Sequence, residues 1–402
     1  MEHSRIGFSS LGRWGRCPGS IKLTEHLPKT TSVYAEEGHA AHELAEKCLL
    51  SGLNTSGFVG KIGDFEITDE MRVSVQAYLD FVRSKINNMK LLVEQKFNVA
   101  WVDSDLWGTN DACILEIFEE LHVFDYKHGK HVFVPIKEPT SNATTEFDKK
   151  TVEIFGCLPN PQLLGYACGA VGEKNPYGVY DISIHVCQPR CESSEGPNGS
   201  FSFNIKQLKQ WEKEVLAPAA KRVRDGSNKL CVGPWCDKHF CAAKGVCPAK
   251  EKITMEVAKV DFDNVKPNLV DSAVGLSNER IGKIIENIGA MRNFLTAVER
   301  VAFNKAEKGE VIPGCKLVKK TTHRRWKENP NLREDLANVL LSKTFLNPET
   351  IKTPAQVEKA AKEAGVNISY LIEKPIGGNK LVSNASKGVP VSPSIEADFV
   401  NL

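Results

Sequence analysis

The sequence lacks any run of about 18 consecutive apolar residues, so no membrane-spanning helix is expected. Its opening residues, MEHSRIGFSSLGRWGRC, contain no apolar leader segment, so a secretory signal is not expected either. Charge of one sign is also missing. The 52 basic and 50 acidic residues leave a net charge of +2, so a nucleic-acid surface would have to come from local clustering. There is no internal repeat and no long low-complexity tract, which argues against a solenoid or a disordered chain. What is present is an ordinary globular composition, 41% hydrophobic and 25% charged, over 402 residues, enough for two or three compact units. The expected location is the cytoplasm, where disulfides rarely persist. Against that background 12 cysteines are many, and four of them, Cys231, Cys236, Cys241 and Cys247, crowd together. Such crowding reads as metal or cluster ligation before disulfides.

Apolar periodicity suggests helices after Ser32 and over residues 69–89, where Val75, Tyr78, Leu79 and Val82 recur at helical spacing. A β-like block follows, in LLVEQKFNVAWV, DACILEI and LHVFDYK. Residues 135–160 are polar and punctuated by proline, and read as a long loop. Helix is expected at 161–171, a strand at 178–187, a loop at 188–200 and helix at 205–225. Past residue 251 the pattern is mostly helical to about 375, and the Gly/Ser/Pro-rich stretch 376–402 reads as an irregular tail.

The chemistry concentrates between Asp111 and Lys127. An antiparallel hairpin of DACILEI with LHVFDYK would return Asp125 to about the level of Asp111. Asp125 and Lys127 are two apart on a strand and share a face. Hard carboxylate oxygens hold Mg²⁺ or Mn²⁺, and an ammonium can offset charge developing on a phosphate. Spacing alone favours a strand with scattered charges. The cysteine group alone suits either Zn²⁺ or an iron–sulfur cluster.

These residues resemble a known family. Gly108-Thr109-Asn110-Asp111, a strand and then Asp125-Tyr126-Lys127 are similar to the core of the PD-(D/E)xK nucleases, in their RecB-like branch. Glu37 to Glu43 matches the branch's helical G-x-x-x-H motif, with His42 at the metal-binding position. Asn160 to Tyr166 matches its Q-x-x-x-Y motif through Gln162 and Tyr166. RWGRCPGS near the start and GNKLVSNASKGVPVSPSIEADFV near the end resemble a phage- and prophage-borne subfamily, so the likeness covers nearly the whole chain.

The resemblance implies a restriction-endonuclease-like α/β fold, a mixed sheet flanked by helices. Residues 1–250 would form the nuclease domain with an iron–sulfur subdomain. His42, Asp111, Asp125 and the Tyr126 carbonyl would be metal ligands, with Glu94 a weaker one through water. Lys127 would be the catalytic lysine, assisted by Gln162 and Tyr166. His39 is set aside on the family match, and the histidine spacing departs from the H-E-x-x-H of zinc peptidases. Relatives of AddB and the CRISPR-adaptation nucleases carry a 4Fe–4S cluster. Cys17 and Cys236, Cys241 and Cys247 match its ligands, with Cys231 a substitute for Cys236; Zn²⁺ is the alternative occupant. The loop between Lys127 and Gln162 is longer than this pattern expects.

The implied activity is hydrolysis of DNA phosphodiesters, exonucleolytic and without sequence preference, in phage recombination or DNA processing. The host-cell cytoplasm is then the setting, a single-strand annealing protein a candidate partner and homo-oligomerisation an option. The competing reading is a non-catalytic DNA-binding or scaffold protein on a decayed nuclease core. Basic residues near aromatics, at Arg13, Trp14 and Arg16, at Lys221, Arg222 and Arg224, and from Lys316 to Lys327, are the candidate DNA-tracking stretches.

Overall fold

Strands β1 (Lys90–Asn98), β2 (Trp107–Leu115) and β3 (Glu120–Tyr126) form an antiparallel meander in the computed structural model of this chain. The model describes residues 4–27, 32–86, 90–130, 132–191, 196–254, 278–320, 322–340, 351–375, 377–384, 386 and 388–391. The β2–β3 register sets Ala112 against Phe124 and Cys113 against Val123, so Asp111 and Asp125 fall at adjoining levels, as the hairpin reading expects. β3 then pairs in parallel with β4 (Asp181–Cys187), and β4 pairs antiparallel with β5 (Asn198–Asn204). The result is a five-stranded mixed sheet in the order β1-β2-β3-β4-β5.

Period-two alternation sends successive side chains to opposite faces. Ala112, Ile114, Phe124 and Tyr126 pack with helices α1 (Val33–Ser51) and α2 (Asp69–Arg83). Cys113, Leu115, Leu121 and Val123 belong to the core on the other face, with α4 (Pro161–Val171). The helices start where the sequence caps them. Ser32 accepts a hydrogen bond from the Ala35 amide and Thr68 from the Met71 amide. Asn160 caps α4, with Pro161 in its first turn.

Two expected loops contain structure. Residues 135–160 include helix α3 (Glu146–Phe155), whose Thr145 and Asp148 form a reciprocal capping box. They also include the short strand pair Lys137–Glu138 with Leu158–Pro159. This explains the length between Lys127 and Gln162: a parallel β3–β4 step needs a crossover, and here it carries two helices. Strand β5 lies partly in the expected 188–200 loop and alternates Phe201 and Phe203. The expected 205–225 helix is present but interrupted. Ile205–Trp211 (α5) passes through a π-helical turn, Glu212–Leu216, into Ala217–Arg224 (α6).

The chain divides into two compact units, Met1–Phe294 and Leu295–Leu402, with a long helix α7 at Asn278–Glu307. The expected change at residue 251 adjoins residues 255–277, which lie outside the described residues. The second unit is less helical than expected. Cys315–Lys319 (β6) pairs with Asn379–Ser383 (β7), so part of the expected irregular tail is a strand. Helices α8 (Leu332–Leu340) and α9 (Pro354–Glu363) bury Leu336, Leu340, Val357 and Ala361 in a small core. No described helix is long and apolar enough to cross a membrane.

One close approach positions the site. Phe8 is fully buried against Tyr166, with ring centroids 5.3 Å apart. A Cβ on Gly165 would stand 2.5 Å from Phe8 Cδ1. Gly165→Ala should therefore cost about 1–3 kcal/mol by overpacking. A shift of the urea midpoint at constant slope would show it, and an unchanged midpoint would contradict the contact.

Candidate metal centre and cysteine-lined cavity

Three separate elements bring their ligating atoms together. His42 from α1, Glu94 from β1 and Asp111 from β2 place one donor atom each within 4.8 Å of one another. His42 Nδ1 is 3.3 Å from Asp111 Oδ1. The other oxygen, Asp111 Oδ2, accepts the Tyr126 amide hydrogen at 2.6 Å, which fixes the carboxylate's orientation. The Tyr126 ring stacks on Tyr78 at 4.9 Å. Burial works to raise the Asp111 carboxyl, but His42, Lys127 and the Tyr126 amide outweigh it and hold it below its usual range. Burial likewise works to lower His42, and Asp111 overcomes it, so the imidazole is held above its ordinary value. His39, three residues earlier, is exposed, in keeping with the choice of His42.

Glu94 gains weight from the structure. The β1–β2 ladder sets Val93 against Ala112 and Gln95 against Asn110 but omits Glu94, which has φ 47°. A non-glycine residue there costs about 1–2 kcal/mol, and such strain collects at functional sites. Burial, then the neighbouring Asp111, pushes its carboxyl up to about 7. In metal-free protein the raised Glu94 makes stability highest below its ordinary value of 4.5, with loss as pH rises towards about 7. Glu94→Gln should flatten that part of the stability curve. Thermal melts in chelator between these pH values test it, and identical wild-type and variant slopes would count against it.

Asp125 and Lys127 complete the arrangement. Asp125 is 2% exposed. Lys127 Nζ lies 3.1 Å from Asp125 Oδ1 and 2.9 Å from Oδ2, although Oδ2 itself has no hydrogen bond. Burial raises Asp125, with Lys127 opposing and Asp111 adding to it, and the net direction is up. For Lys127 burial lowers, but Asp125 and then Asp111 outweigh it and hold the ammonium above its usual range. Gln162 Nε2 donates to Asp125 Oδ1 at 3.0 Å and to the Tyr166 hydroxyl at 3.4 Å, and its Oε1 accepts from Lys127 at 3.5 Å. The six residues His42, Glu94, Asp111, Asp125, Lys127 and Gln162 thus form one neighbourhood, with helices from both sheet faces contributing.

A network that sequence reasoning missed ties α1 to the ends of β3 and β4. Arg190 donates to Glu37 at 2.8 Å and to the His128 carbonyl at 3.2 Å. His128 contacts Glu37 at 3.3 Å and the Tyr126 hydroxyl at 2.8 Å. Arg190 and Glu37 are 153 positions apart, beyond any local spacing signal.

Cys17, Cys231, Cys236, Cys241 and Cys247 all line one small cavity, together with Arg13, Lys244 and Lys250. The Cys231 amide donates to Cys17 Sγ at 3.3 Å across a separation of 214 residues. Burial pushes the Cys17 thiol up to about 11. Among the described residues no three of these sulfurs lie within 4.8 Å of one another.

A family model described as "Protein of unknown function (DUF2800)" matches residues 3–388. The chain belongs to this family. The DUF2800 match spans all the metal-centre residues and all five cavity cysteines.

Within the DUF2800 region several of the expected DNA-tracking residues are committed elsewhere. Trp14 is fully buried, with its indole N–H on the Gly7 carbonyl. Arg16 is buried and paired with Asp148 at 2.7 Å. Arg13 donates to the Ser20 hydroxyl, Lys221 pairs with Asp225, and Arg224 with Asp103. In the second unit Arg324 pairs with Glu358 and Arg325 with Glu373, while Trp326 packs on the small core. Trp14 and Arg16 thus belong to the interior, whereas Lys221, Arg224, Arg324 and Arg325 stay exposed on surface ion pairs.

Proposed function

We propose that this chain is a divalent-metal-dependent nuclease that hydrolyses DNA phosphodiesters. The observation that carries the reading is the convergence of His42, Glu94 and Asp111 within 4.8 Å, beside a lysine held on Asp125. The donor set fits a divalent ion. The two carboxylates suit Mn²⁺ or Mg²⁺, the imidazole favours the transition metal of the two, and one donor atom of each lies within 4.8 Å of the others. His42, Glu94 and Asp111 would hold the ion, with Asp125 adjoining. When bound, the ion supplies Lewis acidity towards a phosphoryl oxygen and a lowered pKa for water. The chain's own residues set the geometry. Tyr126 N–H orients Asp111, Gln162 holds Asp125 and Lys127 in register, and the Lys127 ammonium stands ready to offset charge on a phosphate.

The β1-β2-β3 meander followed by the α4 crossover to β4 supports a restriction-endonuclease-like core. The cysteine cavity supports a bound cluster. The likeness to cluster-bearing RecB-like nucleases points to a 4Fe–4S cluster held by Cys17, Cys241, Cys247 and either Cys231 or Cys236, with Zn²⁺ the alternative. Exonucleolytic action without sequence preference, in phage DNA processing beside an annealing protein, is the role we infer from the likeness to RecB-like nucleases. The test is digestion of 5′- and 3′-labelled single- and double-stranded DNA with Mn²⁺ or Mg²⁺. Cleavage that chelator abolishes is expected. Its absence with fully metallated protein would refute the reading.

A further inference from the structure

The tip of the β2–β3 hairpin lies about 20 Å from the metal centre, at the far end of the seven-residue strand β3. Ile117, Phe118, Tyr177 and Tyr180 are 58%, 66%, 42% and 61% exposed there. This patch is rigid. The Phe118 amide donates to the Tyr177 carbonyl at 2.8 Å, and the Tyr180 amide to the Glu119 carbonyl at 2.9 Å. Asn175 brackets Val179 with two side-chain hydrogen bonds of 2.9 Å. Phe118 adopts φ 66°, a conformation that costs about 1–2 kcal/mol in a non-glycine residue. Its ring rests over Gly178, where a Cβ would come 2.4 Å from Phe118 Cδ1. A strained, exposed ring on a fixed platform does little for its own core. Clustered exposed apolar side chains mark interaction sites.

The rim of the patch is acidic. Glu116 and Glu119 have no cation partner among the described residues, and Asp181 is exposed beside them. The Glu116 carboxyl is pushed up, by desolvation first and then by Glu119 and Glu120. Such a rim repels nucleic acid and anionic lipid, and calls for a basic protein surface.

The same unit carries a surface of the opposite kind. A cleft of about 510 Å³ is lined by the buried Pro18, Phe147 and Trp235 and the partly exposed Val232, with Arg222 and Lys229 among its polar residues. Among the described residues neither Arg222 nor Lys229 has a carboxylate partner, although Lys221 and Arg224 on the same helix do. Glu146 is the one acid in the lining, against these two cations and an Arg16 already neutralised by Asp148.

We propose that the Phe118 tip of one chain docks into the Arg222–Lys229 cleft of a second copy, head to tail. Carboxylates of the rim meet unpaired cations, and the exposed Phe118 ring meets the partly exposed Val232. Because the two surfaces differ, the contact is heterologous and propagates into a ring or an open chain. The proposal is independent of the nuclease reading.

The test is sedimentation velocity of the full chain over a concentration series. Wild type should exceed monomer mass as concentration rises. Phe118→Asp and Arg222→Glu, both at exposed or half-buried positions, should each weaken association at least tenfold while keeping wild-type circular dichroism. Mixing the two variants should restore a single 1:1 dimer, because one retains an intact cleft and the other an intact tip. A wild type that stays monomeric, a Phe118→Asp chain that associates like wild type, or a mixture that stays monomeric would each overturn it.

Discussion

Lys127→Ala is expected to cut Mn²⁺-dependent DNA cleavage by about 100- to 1,000-fold, the size of effect seen when one preorganised donor to a developing charge is removed. The geometry gives the reason. The ammonium lies 2.9 Å from Asp125 and within reach of Gln162, yet outside the His42, Glu94 and Asp111 triad. Metal affinity, measured by calorimetry with Mn²⁺, should therefore change little while turnover collapses. Asp111→Asn should do the reverse first, weakening Mn²⁺ binding and removing cleavage as a consequence, because it takes away the carboxylate that both His42 and the Tyr126 amide address. Asp125→Ala should also abolish cleavage, and it strips Lys127 of its counter-charge, so a melting curve must accompany that assay. Undiminished activity in folded Lys127→Ala protein would remove the basis of the assignment.

Cys17→Ala is expected to bleach the visible absorbance of anaerobically purified protein and to lower its melting temperature by roughly 10 °C. The magnitude follows from cross-linking. Tying Cys17 to the Cys231–Cys247 segment closes a loop of more than 200 residues, and a link of that length is worth about 5 kcal/mol if it behaves as a single covalent staple. For a unit of this size each kcal/mol corresponds to about 2–4 °C. Cys48 is the control. It is fully buried in the core on α1, away from the cavity, so Cys48→Ala should keep the colour and lose only packing. A colourless wild type with four bound thiolates and stoichiometric zinc would refute the cluster while leaving a metal staple in place.

The sheet was legible because its strands are short, apolar and regular. Short apolar runs through Cys113, Ile114 and Leu115 and through Val123 and Phe124 identify β2 and β3, and the few residues between them leave room only for a hairpin. Hence the closeness of Asp111 and Asp125 could be reasoned from sequence. Helix α3 was hidden by its polar composition, although Thr145-Glu146-Phe147-Asp148 carries a capping signal that could have revealed it. Glu94 was undervalued because left-handed backbone inside a strand leaves no trace in residue pattern. The Arg190–Glu37–His128 network and the burial of Trp14 and Arg16 depend on contacts across the fold, which no local spacing encodes. The strand pairing of the second unit joins Cys315–Lys319 to Asn379–Ser383 across intervening helices, and so escaped the same reasoning.

The meeting of Cys17 with Cys231 has a consequence for synthesis on the ribosome. The amino-terminal segment, with Phe8, Leu11 and Trp14 destined for the interior, emerges first but finds its thiol partners only after Cys247 has been translated. Until then His42, Glu94 and Asp111 have emerged on a polypeptide whose closing seam is still missing. Contacts so distant along the chain also form slowly. On the proposed nuclease function, the chain would arm itself late, once its whole first unit has been made, which limits the time a half-finished copy could spend near the cell's own DNA.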